Sequence, residues 1–189
     1  MVKSIILVGV GGQGTILASK LLTTGLMEAG YDVKMSEIHG MSQRGGAVST
    51  DVRYGDKVES PVIELGGADM LVAFEKMEAL RWLKYLKKGG KVVVNDFEIN
   101  SMPILSGIAD YPTGILEELG KNVETKAINA AKLAEELGNQ KVMNVILLGT
   151  IIKLMKLEDI NWDKIIRDNV KEKFVDLNLK ALKIGMNIV

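Results

Sequence analysis

Apolar and polar residues in the first forty positions follow the pattern of an α/β unit. Residues 4–8 (SIILV) form a short apolar run, which predicts a strand buried on both faces. From Thr15 onward, leucines and isoleucines recur at helical spacing as far as Gly30, so a helix is expected there. Residues 32–38 predict a second strand. Together these elements would form a βαβ unit.

The regular alternation breaks in the next segment. Residues 39–46 (HGMSQRGG) have no period, whereas residues 48–54 alternate strictly and predict a strand with one face in water. Gly55-Asp56 predicts a turn, and residues 57–59 are expected to return as a short hairpin arm. A hairpin therefore stands where a second crossover helix would be expected, and the sheet should be mixed at this edge.

The remaining chain returns to α/β alternation and then becomes helical. Strands are predicted over 69–74, 91–95 and 123–128, and helices over 76–86, where Gly89-Gly90 would end the element, and 130–137. Residues 142–157 are apolar nearly all round, which predicts a helix buried on several sides. One last helix is expected to carry a stripe through residues 166–181, with Asp159 or Asn161 as its cap and Gly185 at its end.

These elements predict a single domain over residues 1–189. The expected fold class is α/β, a three-layer, Rossmann-like, mostly parallel sheet with a hairpin or mixed edge. The helical C-terminal segment should cover about 141–185.

Composition excludes several functions. Lys plus Arg and Asp plus Glu both number 24, so nucleic-acid binding through phosphate neutralisation is not expected. There is no cysteine to ligate an iron–sulfur cluster, and a single histidine argues against a metal site. No secretion signal and no apolar run of about 20 residues is found, so a cytoplasmic protein without a membrane partner is expected. No catalytic residue is assigned to the chain.

A glycine-rich string lies between the first strand and the first helix. Residues 9–14 read GVGGQG, and glycines at this spacing allow a tight turn with an anion at the helix N-terminus. We predict that Gly9, Gly11, Gly12 and Gly14 form the turn and its backbone donors, and that Gln13 points its amide at a ligand or partner.

A second string, residues 36–46 (SEIHGMSQRGG), concentrates polar side chains after the second strand. Ligands of open α/β sheets bind at that edge. Arg44 would bind a phosphate or carboxylate, Ser42 and Gln43 would add hydrogen bonds, and Gly45 and Gly46 would allow close approach of the backbone. Glu37 and His39 are expected to orient the loop or meet a partner. Alternatively, Arg44 pairs with Glu37, the glycines only turn the chain, and His39 packs.

These strings resemble a known family. GVGGQG with ILASKLL, SEIHGMSQRGGAVSTDVRYG, Tyr111-Pro112 and NVILLG (144–149) are similar to the gamma-type subunit or domain of 2-oxoacid:ferredoxin oxidoreductases. The resemblance covers most of the chain. HGMSQRGG matches the indolepyruvate branch better than the pyruvate or 2-oxoglutarate branches.

The resemblance implies a subunit without a catalytic centre of its own. The complete enzyme would use thiamine diphosphate to convert indolepyruvate or another aryl 2-oxoacid to an arylacetyl-CoA and CO₂, with reduction of ferredoxin. Thiamine diphosphate, Mg²⁺ and iron–sulfur clusters are expected on a larger partner subunit, and ferredoxin would be reached through the complex. Coenzyme A is the candidate ligand of this chain, which alone should be inactive.

Three alternatives stay open at this stage. A free-standing NAD(P)- or flavin-binding protein would use Glu37, about 20 residues beyond the glycine motif, to hold a ribose. A gamma subunit acting on pyruvate or another 2-oxoacid is the second. A non-enzymatic α/β scaffold is the third.

Overall fold

A computed structural model describes residues 1–40 and 46–189, and six strands in this part of the chain form one sheet. The strands are β1 Lys3–Val10, β2 Asp32–His39, β3 Ala47–Gly55, β4 Ala68–Ala73, β5 Leu86–Asn95 and β6 Glu124–Ile128. Their order across the sheet is β2-β3-β1-β4-β5-β6. Strand β3 is antiparallel to both of its neighbours, and the other five run parallel. The expected mostly parallel sheet with a mixed edge is confirmed.

Helices cover both faces of this sheet. In the described ranges they are α1 Thr15–Glu28, α2 Lys76–Trp82, α3 Met102–Leu105, α4 Ile115–Asn122, α5 Ala130–Glu136, α6 Met143–Met155, α7 Trp162–Asn169 and α8 Val175–Asn187. Helices α1 and α5 to α8 pack on one face, and α2 and α4 on the other. None of them is both long and apolar enough to cross a membrane. Strand β1 contributes Ile5 and Leu7 to one face and Ile6 and Val8 to the other, which explains its continuous apolar run.

The hairpin is formed by other segments than expected. Strands β2 and β3 pair antiparallel from Asp32 opposite Gly55 to His39 opposite Val48, and β3 then inserts between β2 and β1. Strand β2 therefore runs parallel to β1 without pairing with it. Residues 57–59 form no strand, so the predicted return arm is wrong.

One face of β3 was expected to be exposed to solvent. The segment after β3 covers this face instead. Arg53 donates hydrogen bonds to the carbonyls of Ser60 and Val62, at 3.0 and 3.1 Å. The Asp51 carboxylate accepts the Ile63 N–H at 3.1 Å, and burial raises the pKa of that carboxyl group. The polar side chains of β3 thus satisfy the backbone of a covering loop rather than water.

The elements after β4 differ from expectation, since helices α3 and α4 were not predicted and two predicted helix ends are wrong. Helix α2 ends at Trp82 and a 3₁₀ turn follows, after which β5 begins at Leu86 and includes Gly89 and Gly90. These glycines therefore do not end a helix. The prediction of a single last helix is also wrong, because α7 and α8 are separate helices and Gly185 lies inside α8. Asn161 does cap α7, since its side chain accepts the Lys164 N–H at 3.1 Å.

Helix α6 is the centre of the helical layer. All residues from Met143 to Ile152 are buried, which confirms the prediction of burial on several sides. Its contact with α8 is made backbone to backbone through two glycines. A Cβ on Gly185 would lie 1.9 Å from the carbonyl oxygen of Ile146, and a Cβ on Gly149 would lie 2.4 Å from that of Leu182. Only hydrogen fits at either position.

We predict that Gly185→Ala destabilises the fold because α6 and α8 must separate to admit the methyl group. The free energy of unfolding in urea should fall by about 1–3 kcal/mol. Gly120→Ala is the matched control: Gly120 lies in α4, where an added methyl group would have no atom within 4 Å, so about 0.5–1 kcal/mol of stabilisation is expected there. Equal stability of Gly185→Ala and the parent would contradict the close helix contact.

Candidate functional site

The glycine string forms a loop at the carboxyl end of β1. Gly12 and Gly14 have φ of 101° and 79°, in the left-handed region that glycine adopts without strain. Gly14 is the N-cap of α1, so the predicted turn before the helix is present. Gly9, in contrast, belongs to β1, where it pairs with Val48 and is buried.

Gln13 points into the protein, which corrects its predicted orientation. Its Oε1 accepts the Val10 N–H at 2.7 Å, and its Nε2 donates to the Phe74 carbonyl at 2.8 Å. The side chain thus joins the carboxyl ends of β1 and β4. A Cβ on Gly9 would lie 2.8 Å from Gln13 Oε1. Gly9 therefore leaves room for this amide rather than facing a ligand.

The buried amide of Asn95 continues the connection. Asn95, at the end of β5, donates from Nδ2 to the same Phe74 carbonyl at 3.1 Å and accepts the Ala130 N–H at 2.9 Å. Gln13 and Asn95 thereby link three strands and the first turn of α5. We call the hydrogen bonds of Gln13 and Asn95 the amide network. Strand order reverses between β1 and β4, where an open α/β sheet binds its ligand, and here Gln13 lies across that crevice.

The end of β2 lies against α1. Glu37 accepts a hydrogen bond from the buried Ser19 hydroxyl at 3.1 Å, and its other oxygen is 3.6 Å from Nε2 of the half-exposed His39. The Gly11 N–H donates to the Gly46 carbonyl at 2.8 Å, which ties the two predicted strings together. Glu37, His39 and Gly46 are thus brought to the glycine loop. Ser42, Gln43, Arg44 and Gly45 lie outside the described residues, and their binding roles stay predictions.

Two clefts flank the glycine loop. The first, here the His39 cleft, has a volume of about 520 Å³ and is lined by His39, Thr15, Ile16 and Val48 besides loop glycines. The second, here the Asn144 cleft, has a volume of about 620 Å³. Besides loop residues, its walls include Leu17, Phe97, Ile99, Lys141, Met143 and Asn144. Both volumes are within the range of small-molecule sites.

The start of α1 lies between these clefts and favours an anion. Among residues 1–40 and 46–189, no side chain caps the helix at Gly14, and its first turn contains no acidic residue. First-turn N–H groups and the positive end of the helix dipole are therefore available to a phosphate or carboxylate. Asn144 on α6 fixes this helix start, since its Nδ2 donates to the Gly14 carbonyl at 3.1 Å.

Sequence reasoning missed Asn95 and Asn144 as site residues. Each is a lone polar residue at the edge of or inside an apolar run, Asn95 after three valines and Asn144 within the apolar helix α6. Buried polar residues require partners, so these interruptions were the available signal.

Tyr111 belongs to the Tyr111-Pro112 pair on which the family resemblance partly rests, and its hydroxyl group is hydrogen-bonded within the protein. Its hydroxyl donates to Glu75 and accepts the Met77 N–H at 3.2 Å. Burial and the Glu75 carboxylate raise the pKa of Tyr111, so the hydroxyl stays a donor. Glu75 also accepts the Glu78 N–H at 3.0 Å and caps α2. This cluster fastens the segment after β5 to the neighbouring helix.

The described residues contain no set of side chains suited to bind a metal ion. No group of three or more His, Cys, Asp or Glu side chains there could hold a metal ion. The sequence contains no cysteine, so it supplies no thiolate for an iron–sulfur cluster.

Comparison with known proteins identifies the family. The sequence pattern described as "Pyruvate ferredoxin/flavodoxin oxidoreductase" matches residues 4–188, and the chain belongs to this family. It is 41% identical over 191 residues to "Indolepyruvate oxidoreductase subunit IorB" of Pyrococcus horikoshii, covering 97% of this chain and 94% of that protein. The predicted resemblance is confirmed.

Solved structures share the fold. The gamma subunit of a keto/oxoacid ferredoxin oxidoreductase from Geobacter sulfurreducens aligns with a TM-score of 0.72 and 27% identity, over 98% of this chain and 97% of that one. The 2-oxoglutarate:ferredoxin oxidoreductase of Magnetococcus marinus, solved with 2-oxoglutarate, coenzyme A and succinyl-CoA bound, aligns with a TM-score of 0.76 at 19% identity. That alignment covers 99% of this chain but 31% of the other, so there the fold is one part of a longer chain.

We predict that Gln13→Leu destabilises the isolated chain, because the buried Val10 N–H loses its acceptor. The expected loss is about 1–3 kcal/mol in the free energy of unfolding. Gln140→Leu serves as the control, since Gln140 is exposed. Urea titrations of both variants make the comparison, and an equal small effect would show that the amide network contributes little.

Proposed function

We propose that this chain is the small subunit of an indolepyruvate oxidoreductase that reduces ferredoxin. The observation that carries the proposal is the 41% identity to a subunit of that name over 97% of the chain. The complete enzyme would convert an aryl 2-oxoacid and coenzyme A to an arylacetyl-CoA and CO₂. This chain would contribute binding and assembly, and no redox centre.

The absence of cysteine from the sequence supports this division of roles. Iron–sulfur clusters need thiolate ligands, which a larger partner subunit would have to provide together with the thiamine diphosphate and Mg²⁺ site. The Magnetococcus marinus relative is consistent with such an arrangement, because most of that chain lies outside the part that aligns here.

Coenzyme A fits the residues around the glycine loop. Its diphosphate is an anion, and the start of α1, which no described side chain caps, offers backbone donors to anions. When bound, coenzyme A would accept the acyl group made on the partner. The free-standing NAD(P) or flavin alternative is less well supported, because Gln13 lies across the crevice that a dinucleotide would need.

Reconstitution with the larger subunit tests the function. We expect ferredoxin reduction with indolepyruvate and coenzyme A under anaerobic conditions only when both subunits are present. The isolated chain should be inactive and should show no saturable binding of NAD(P)H. Full activity of the larger subunit alone, or turnover of pyruvate in preference to indolepyruvate, would contradict the proposal.

We predict that Arg44→Ala lowers turnover of the reconstituted enzyme at least tenfold, which corresponds to about 1.4 kcal/mol or more in activation free energy. The reason is the sequence-based expectation that Arg44 supplies positive charge to an anionic ligand. Arg167→Ala is the matched control, as Arg167 is exposed on α7. Both variants should keep the parent melting temperature. Near-normal turnover of Arg44→Ala would show that Arg44 does not contribute to the site.

A further inference from the structure

The segment between β5 and α4 presents apolar side chains to solvent. We call residues 97–110, which include helix α3, the α3 arm, and each of them is exposed or partly exposed. Met102, Leu105 and Ile108 are 74%, 66% and 81% exposed. Within the described part of the chain, neither hydrophobic cluster of the core includes these three side chains. Single exposed apolar residues are ordinary, but three large ones within seven residues of one arm indicate a surface that another protein covers.

The α3 arm is held in one conformation by hydrogen bonds. Near its tip, the Leu105 N–H donates to the Ser101 carbonyl at 2.9 Å. At its base, the buried Glu75 carboxylate accepts the Ile99 N–H at 3.3 Å and the hydroxyl of Tyr111. One carboxylate on the neighbouring helix thus fastens both ends of the arm. Because the arm is ordered before it binds, less conformational entropy is lost on association.

The surface around the α3 arm is acidic. Lys76 lies 3.2 Å from the Asp96 carboxylate and 2.6 Å from that of Glu98, which neutralises part of the charge. Two copies that met through their arms would repel each other, and so would an anionic lipid surface. The charge therefore favours a partner that places lysine or arginine side chains around an apolar groove. Although the whole chain has equal numbers of acidic and basic residues, residues 96–118 contain no Lys, Arg or His and five acidic residues, Asp96, Glu98, Asp110, Glu117 and Glu118.

The α3 arm lies at the same edge of the sheet as the glycine loop. Strands β1, β4 and β5 run parallel, and the loop and the arm follow the carboxyl ends of β1 and β5. Phe97 and Ile99, at the base of the arm, line the Asn144 cleft together with loop residues. A protein bound to the arm therefore lies beside the glycine loop. This position suits a subunit that works together with the loop in one reaction.

We propose that the α3 arm docks into an apolar groove of the larger subunit, with Met102, Leu105 and Ile108 buried in that groove. Basic side chains of the larger subunit face Asp110 and the acidic start of α4. That the occupant is the larger subunit rests on the proposed function. That the arm is a docking surface rests on its exposure, its order and its charge.

Binding of the full-length chain to the immobilised larger subunit tests this surface without relying on catalysis. Leu105→Asp should raise the Kd about tenfold, because a charge would have to enter an apolar groove. Leu65→Asp is the matched control, since Leu65 is 64% exposed and precedes β4, at the opposite edge of the sheet. Its Kd should stay within about twofold of the parent value. Equal Kd values for the two variants would overturn the proposal; should Leu105→Asp not fold, Ile108→Asp makes the same test.

A second pair of variants tests the charge of the groove. Asp110→Lys should raise the Kd about fivefold, and added salt should weaken binding of the parent chain more than binding of this variant. Glu59→Lys makes the same change in charge at an exposed position after β3 and should leave the Kd unchanged. Unchanged or tighter binding of Asp110→Lys would contradict a basic partner surface.

Two further measurements separate this proposal from other occupants and from the enzyme's identity. In sedimentation of the isolated chain, Leu105→Asp should not change the oligomeric state. A dimer that this variant dissociates would assign the arm to a second copy and overturn the proposal, as would failure of the parent chain to bind the larger subunit. A complex that Leu105→Asp weakens, but that reduces no ferredoxin with indolepyruvate, would instead contradict only the proposed function.

Discussion

The amide network holds the carboxyl edge of the sheet in one arrangement. Gln13 bridges Val10 and Phe74, and Asn95 extends the connection from Phe74 to Ala130. These bonds pair the main-chain groups of Val10, Phe74 and Ala130, and leaving such a group buried without any partner costs about 1–3 kcal/mol. The geometry of the glycine loop follows from this network, because Gly9 must lack a side chain for Gln13 to fit. The loop is thus positioned from inside the protein.

The glycines have the spacing of a dinucleotide-binding loop, but here a side chain of the loop, Gln13, joins two strand ends. In a nucleotide-binding sheet the crevice at the reversal of strand order receives the ligand, whereas here a side chain of the loop lies across it. Binding space remains on either side of the loop, in the Asn144 and His39 clefts. The sequence contains no cysteine, so this chain supplies no thiolate ligand for an iron–sulfur cluster.

Local pattern predicted most of the elements but not helices α3 and α4, and long-range contacts decided other features that it missed. The apolar runs of β1 and α6 were sufficient to place a buried strand and a helix buried on several sides. Insertion of β3 between β2 and β1 depends on pairing across the sheet, and the break between α7 and α8 interrupts a stripe that looks continuous in sequence. In the site, the glycine turn was predictable from the spacing of the glycines. The hydrogen bonds of Gln13 and Asn144 were not predictable, since their partners Phe74 and Gly14 lie 61 and 130 residues away in the sequence.

The most direct test of this account is a cryo-electron microscopy structure of the chain assembled with its larger subunit and coenzyme A. We expect Gln13 still to bridge Val10 and Phe74, and the diphosphate of coenzyme A to lie at the start of α1. Ligand density between β1 and β4 with Gln13 displaced would contradict it. So would a coenzyme A molecule held by the partner subunit alone.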